Sequence, residues 1–152
     1  MIIVHSAEVL SIADFESSTF YKKYSVREKD VWTLKSGGKN FYYSYQDPEN
    51  RYSGFGIEPI NDPSNIKQIG IQWHGKSIYH PARLTKVREQ FLRDLLLVVE
   101  PTVDPDTVIA YVKSQQVNNY PGGSNTMPRK QLGKAAIYAG TVGEGLIVGI
   151  ER

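Results

Sequence analysis

The sequence predicts an α+β domain: an antiparallel meander sheet covered on one face by a long helix and a shorter helix, closing with a C-terminal β-hairpin. Three observations carry this. The first half reads as short strands joined by local turns, and local connections make antiparallel pairs. A single strongly amphipathic stretch follows. Two β-rich runs around a glycine-rich turn then end the chain, and nowhere do strands and helices alternate as in a parallel sheet.

Residues Met1 to Glu16 read two ways. Ser11 with Asp14 forms a helix-cap pattern, with Ile12 and Phe15 facing a core, while Ile2 to Val4 can form a strand. From Thr19 the aromatic and β-branched content predicts strands over 20–26 and 30–35. Gly37-Gly38 marks a turn. In the next strand Phe41, Tyr43 and Tyr45 share one face, and Tyr42 with Ser44 takes the other. After Asp47-Pro48-Glu49-Asn50, residues 51–57 form a strand loosened by Gly54 and Gly56. Beyond the loop at Asn61-Asp62-Pro63-Ser64, Ile69, Ile71 and Trp73 alternate with Gln68, Gly70, Gln72 and His74, a half-buried strand.

The central element is expected over 80–101, a helix long enough to cover one face of a sheet. Leu84, Val87, Phe91, Leu95 and Val98 recur at helical spacing, widened by Leu92, Leu96 and Val99. Arg83, Lys86, Glu89, Gln90, Arg93 and Asp94 fall mostly on the polar side. Pro81 suits a first helical position and Pro101 a stop. Asp104-Pro105-Asp106 then reads as a cap, an opening proline and a first-turn acid for a shorter helix through Val108, Ile109 and Val112. Residues 117–128 read as a polar loop. Residues 134–139 and 146–150 flank the turn at 140–145 as the closing hairpin.

At 152 residues the chain fits one domain, 1–152, and 40% hydrophobic content suffices for a core. A net charge of +2 disfavours a nucleic-acid binder. The absence of cysteine excludes disulfides and thiolate chemistry. Ile2-Ile3-Val4 is too short for a leader, and the run Leu95 to Val99 is far short of a membrane span. A soluble protein is expected, cytoplasmic if full-length, and periplasmic or secreted if a leader has been removed. Nothing in the residues sets an oligomeric state.

Gly70 to Ser77 matches the G-x-x-x-x-G-K-[ST] pattern of a phosphate-binding loop. Such a loop must lead straight into a helix, whereas these residues alternate as a strand and Pro81 would fall inside that helix, so Lys76 is not expected to hold phosphate. His5, His74 and His80 lack metal-ligand spacing, and no metal or cofactor is expected. Of ten tyrosines, Tyr42, Tyr43, Tyr45 and Tyr52 lie close together and, with Trp32, can form a recognition face. Alternation leaves Tyr42 outward, with Tyr52 as its nearest companion, and these two are the candidate partner-binding residues. Between Asp106 and Glu144 there is no acid, while Lys113, Arg129, Lys130 and Lys134 are present as candidate anion ligands.

No complete catalytic constellation is present. The residues therefore point to a non-catalytic module that binds another protein, with inhibitor-like or immunity-like roles compatible. The alternative is a small enzyme acting on an anionic substrate near His74, Lys76 and His80. A structural subunit pairing through its sheet edge is a third reading. An exposed aromatic patch favours the first, a cleft lined by the histidines and Lys76 the second, and a long unpaired edge strand the third.

Overall fold

The computed structural model describes residues 9–49, 54–59 and 62–152. The expected strand at Ile2 to Val4, as well as His5 and Tyr52, lies outside them. Seven strands form one antiparallel sheet in the order β1-β2-β3-β4-β7-β6-β5. They are β1 Arg27–Thr33, β2 Lys39–Ser44, β3 Gly54–Glu58, β4 Gln68–His74, β5 Lys130–Leu132, β6 Ala135–Val142 and β7 Gly145–Glu151. Four helices accompany them: α1 Ile12–Glu16, α2 Thr19–Lys23, α3 Lys86–Val99 and α4 Pro105–Gln115.

The α+β class, the meander and the closing hairpin are as expected, and several local readings are corrected. Residues 20–23 belong to helix α2 rather than a strand. The Ser18 side chain accepts from the Tyr21 N–H to cap it. Phe20 and Tyr24, one turn apart, then pack on Phe91 at 5.1 and 4.9 Å. Aromatic β-propensity yields here to a cap and a packed helical face. Residues 130–132 form β5, inside a stretch read without a strand. The hairpin zips further than expected, to Val142↔Gly145. It turns on Gly143 and Glu144, with Gly143 at φ +59°, a conformation glycine adopts without strain.

The main helix begins at Lys86, capped by Thr85, whose side chain accepts from the Arg88 N–H. Pro81 therefore does not open it. The Ala82 N–H donates to the Glu144 carbonyl, and the Leu84 N–H to the Gln116 side chain, which holds 81–84 outside the helix. The buried stripe is consequently Arg88, Phe91, Leu92, Leu95, Leu96 and Val99. Val87, assigned to the core from its spacing, is 44% exposed, and Val98 is only partly buried. Glu89, assigned to the polar side, is buried, where Lys113 of α4 and Lys86 approach it.

The core is one cluster between the helices and one sheet face. It takes Tyr43, Phe55, Ile57, Ile69, Ile71 and Trp73 from the meander and Ile137, Leu146, Val148 and Ile150 from the last strands. Phe41, Tyr43 and Tyr45 point this way as alternation requires. Trp73 donates its indole N–H to the Tyr45 hydroxyl, so neither polar atom is stranded. Among the described residues no helix is long and apolar enough to cross a membrane.

Candidate functional site

The loop between β4 and α3 is built by close backbone contact. A Cβ placed on Gly75 would lie 2.4 Å from the His80 carbonyl oxygen and 2.5 Å from the Ala82 nitrogen, so only glycine fits. The Gly75 and Ala82 N–H groups both donate to the Glu144 carbonyl, at 3.0 and 2.9 Å. Lys76 N–H donates to the His80 carbonyl and His80 N–H to the Ser77 carbonyl, each at 3.0 Å. The Ser77 hydroxyl accepts from the N–H groups of Tyr79 and His80 at 3.2 and 3.3 Å. The result is a closed turn over 77–80 with Ile78 and Tyr79 at its tip. Their side chains are 67% and 83% exposed.

Beside this turn lies an open cleft of about 470 Å³, lined by His74, Lys76, His80, Arg83, Arg88 and Glu49 among others. The structure thus brings together the three residues His74, Lys76 and His80, and adds Arg83. Lys76 and Arg83 are exposed and lie in no ion pair within the described residues. His74 Nδ1 lies 3.5 Å from a Glu144 oxygen. Gly70 to His74 run as strand, with no helix starting at Gly75, so the phosphate-loop geometry does not form.

The sheet face opposite the helices is covered at β6, where Tyr120 and Met127 lie over Gly140 and Arg129 over Tyr138, and is open at Gly70 of β4. Tyr42, Gly56, Gly70, Gly149 and Tyr138 stand in one cross-strand row. Tyr42 lies over Gly56, with ring carbons 3.6 and 3.7 Å from where a Cβ would stand. Tyr138 lies on Gly149 so closely that a Cβ there would fall 1.8 Å from its ring. Gly70 has open space above it. It floors a polar groove of about 340 Å³ lined by Glu58, Gln68, Gln72, Arg129, Tyr138 and Glu151 among others. Tyr138 is sandwiched, with Arg129 stacked on its ring at 3.9 Å, and it accepts from Gln68 at 2.9 Å. Burial raises its hydroxyl pKa, though Gln68 and Arg129 work against this.

The sequence-derived candidates are distributed as follows. Tyr42 is on the open face and half-buried; its aromatic companion there is Trp32, at 5.5 Å. Lys113 pairs with Glu89 in the helix layer. Arg129 pairs with Glu151 at 2.8 Å on the opposite face of the sheet. Lys130 is exposed on β5 and Lys134 is exposed in the turn after it. The fold does not gather these four cations into one site. Ile78 and Tyr79 were missed by sequence reasoning. Their signal was present: two large apolar residues between Gly75 and Pro81, where a turn ordinarily takes polar ones. Among the described residues, no three His, Asp or Glu side chains group as metal ligands. Comparison with known proteins found no matching family model, no matching curated protein and no matching solved structure.

Proposed function

We propose that the chain is a non-catalytic protein-binding module whose primary contact is the turn carrying Ile78 and Tyr79. The observation behind this is the exposure of both side chains, Tyr79 the more so, on a turn already closed by hydrogen bonds. An exposed apolar pair gains by burial in a partner, and a tyrosine at an interface centre is a frequent hot spot. A turn ordered before binding also avoids the entropy of ordering it afterwards. Lys76 and Arg83, neither in an ion pair within the described residues, give the turn a cationic collar, which suits an apolar pocket with an acidic rim. The test is a pull-down from the native host in which the captured protein is identified by mass spectrometry. A partner retained by Leu97→Ser, a change at another exposed apolar side chain, and lost by Tyr79→Ala and Ile78→Ser supports this reading. A partner retained by all three variants contradicts it.

The cleft favours a second reading, an enzyme acting on an anionic substrate. It rests on His74, Lys76, His80 and Arg83 lining one concavity. Turnover of a phosphate or carboxylate ester abolished by Lys76→Gln, with Tyr79→Ala fully active, would select this reading over the first.

A further inference from the structure

The edge strand β1 is exposed at every residue and pairs with β2 alone. Its outer edge has no partner strand among the described residues, so a row of backbone donors and acceptors stands open. Four consecutive charges of alternating sign occupy its first half: Arg27, Glu28, Lys29 and Asp30. None lies within ion-pair distance of an opposite charge among the described residues, although the Asp30 carboxylate accepts from the Val31 N–H at 2.8 Å and from the Trp32 indole N–H, which orient it along the strand.

That order of signs is its own complement when read backwards. We infer that β1 is a self-association surface, through which a second copy of the chain pairs antiparallel about a twofold axis between Glu28 and Lys29. In this register Arg27 meets Asp30 of the other copy, Glu28 meets Lys29, and symmetry repeats both pairs. Residues directly opposite in an antiparallel pair must share a face. Three positions apart on a regular strand, Arg27 and Asp30 would face opposite ways. The bulge between Glu28 and Asp30 removes that obstacle for both pairs: Arg27 stands opposite Ser44 and Asp30 opposite Tyr42, which share the open face, and Lys29, the extra residue, stands opposite no residue of β2, so alternation does not hold it to the face away from Glu28. Charges and bulges on edge strands ordinarily keep them from pairing indiscriminately. This sign pattern repels most strands while accepting its own copy. Val31 and Trp32, which is 59% exposed, add apolar area beside the charges.

The test is sedimentation and light scattering of the full chain over a concentration series. The wild-type chain is expected to form a species of twice its 17.1 kDa mass. Lys29→Glu turns two attractive pairs repulsive and should raise the dimer dissociation constant at least about tenfold. Glu28→Lys combined with Lys29→Glu restores opposite charges and should restore the dimer. Arg27→Asp, which sets like charges together on the open face, serves as an independent disrupting variant. A wild-type chain that stays monomeric at every concentration overturns the inference. So does a dimer indifferent to Lys29→Glu and Arg27→Asp, or one that the double exchange fails to rescue. Loss of the Ile78 and Tyr79 contact would leave all these outcomes unchanged.

Discussion

Arg88 lies inside the protein on the first turn of α3. Its Nε and Nη2 donate to Asp47 Oδ2 at 3.1 and 2.8 Å, and Nη1 donates to the Arg83 carbonyl at 2.8 Å. Its guanidinium also sits over Trp73 at 5.7 Å. Arg88 thereby ties the helix start to the segment that follows the exposed turn. Arg88→Ala breaks a buried ion pair together with the hydrogen bond to the Arg83 carbonyl and the contact with Trp73, so it should cost about 3–5 kcal/mol. Chemical denaturation measures this; a loss below about 1 kcal/mol would show the pair to be dispensable. Asp94 provides a pH-dependent contact between α2 and α3. Burial acts to raise its pKa, but hydrogen bonds from Lys23, Tyr24 and Gln90 prevail and hold it below 3.8. A depressed carboxylate stabilises the fold above its unfolded pKa, and this contribution disappears as pH falls through the lower folded value. Asp94→Asn should therefore lower stability at neutral pH and flatten the loss of stability below about pH 4, as acid titration of the melting temperature would show. Neither role was legible in the sequence. A charge on an amphipathic helix reads as solvated, and the Asp47 that buries Arg88 stands 41 positions away.

Helix α3 supplies the aromatic centre of the fold through Phe91. Its ring stacks on Tyr45 at 4.2 Å and meets Tyr24, Phe20 and Trp73 edge-on at 4.9, 5.1 and 6.0 Å. Phe91→Ala should cost about 3–5 kcal/mol, the range for a large core side chain whose space cannot refill. A wild-type melting temperature would remove α3 from its central place. The helix was legible because leucines at helical spacing leave little choice over 91–99. Its start was not, because Pro81 fits an extended segment as well as a first helical turn. The pairing of Gly75 and Ala82 on the Glu144 carbonyl decides between them. Helix α4 was legible in full from Asp104, whose side chain accepts from the Asp106 N–H, with Pro105 at the first position. Helix α2 was misread because Phe20, Tyr21 and Tyr24 favour strands unless their helical face has something to pack against.

For the whole molecule, local turns made the meander and the hairpin readable, but not how they join. Strand β4 pairs with β7 along seven residues, from Gln68↔Glu151 to His74↔Gly145, a contact without local signal. That pairing leaves one face to the helices and the other covered only in part, by the 120–129 segment over β6, and it brings Glu144 beneath the Gly75 loop. The tyrosine-rich strand was read correctly for direction, since Tyr43 and Tyr45 are core and Tyr42 is not. Tyr79, far more exposed than Tyr42, was not among the sequence-derived candidates. The groove above Gly70 was equally hidden, because it depends on glycines of three strands standing in register. A glycine on an open face with free space above it accepts a larger residue, so Gly70→Leu should leave the melting temperature within a few degrees while filling the groove. The proposed role of the Ile78 and Tyr79 turn is tested most directly by titrating the captured partner, by calorimetry, against wild type and Tyr79→Ala. Truncating a central interface tyrosine costs at least about 2 kcal/mol, so the dissociation constant should rise about 30-fold or more while the melting temperature stays unchanged. An unchanged dissociation constant would contradict the proposal that this turn is where the protein meets its partner.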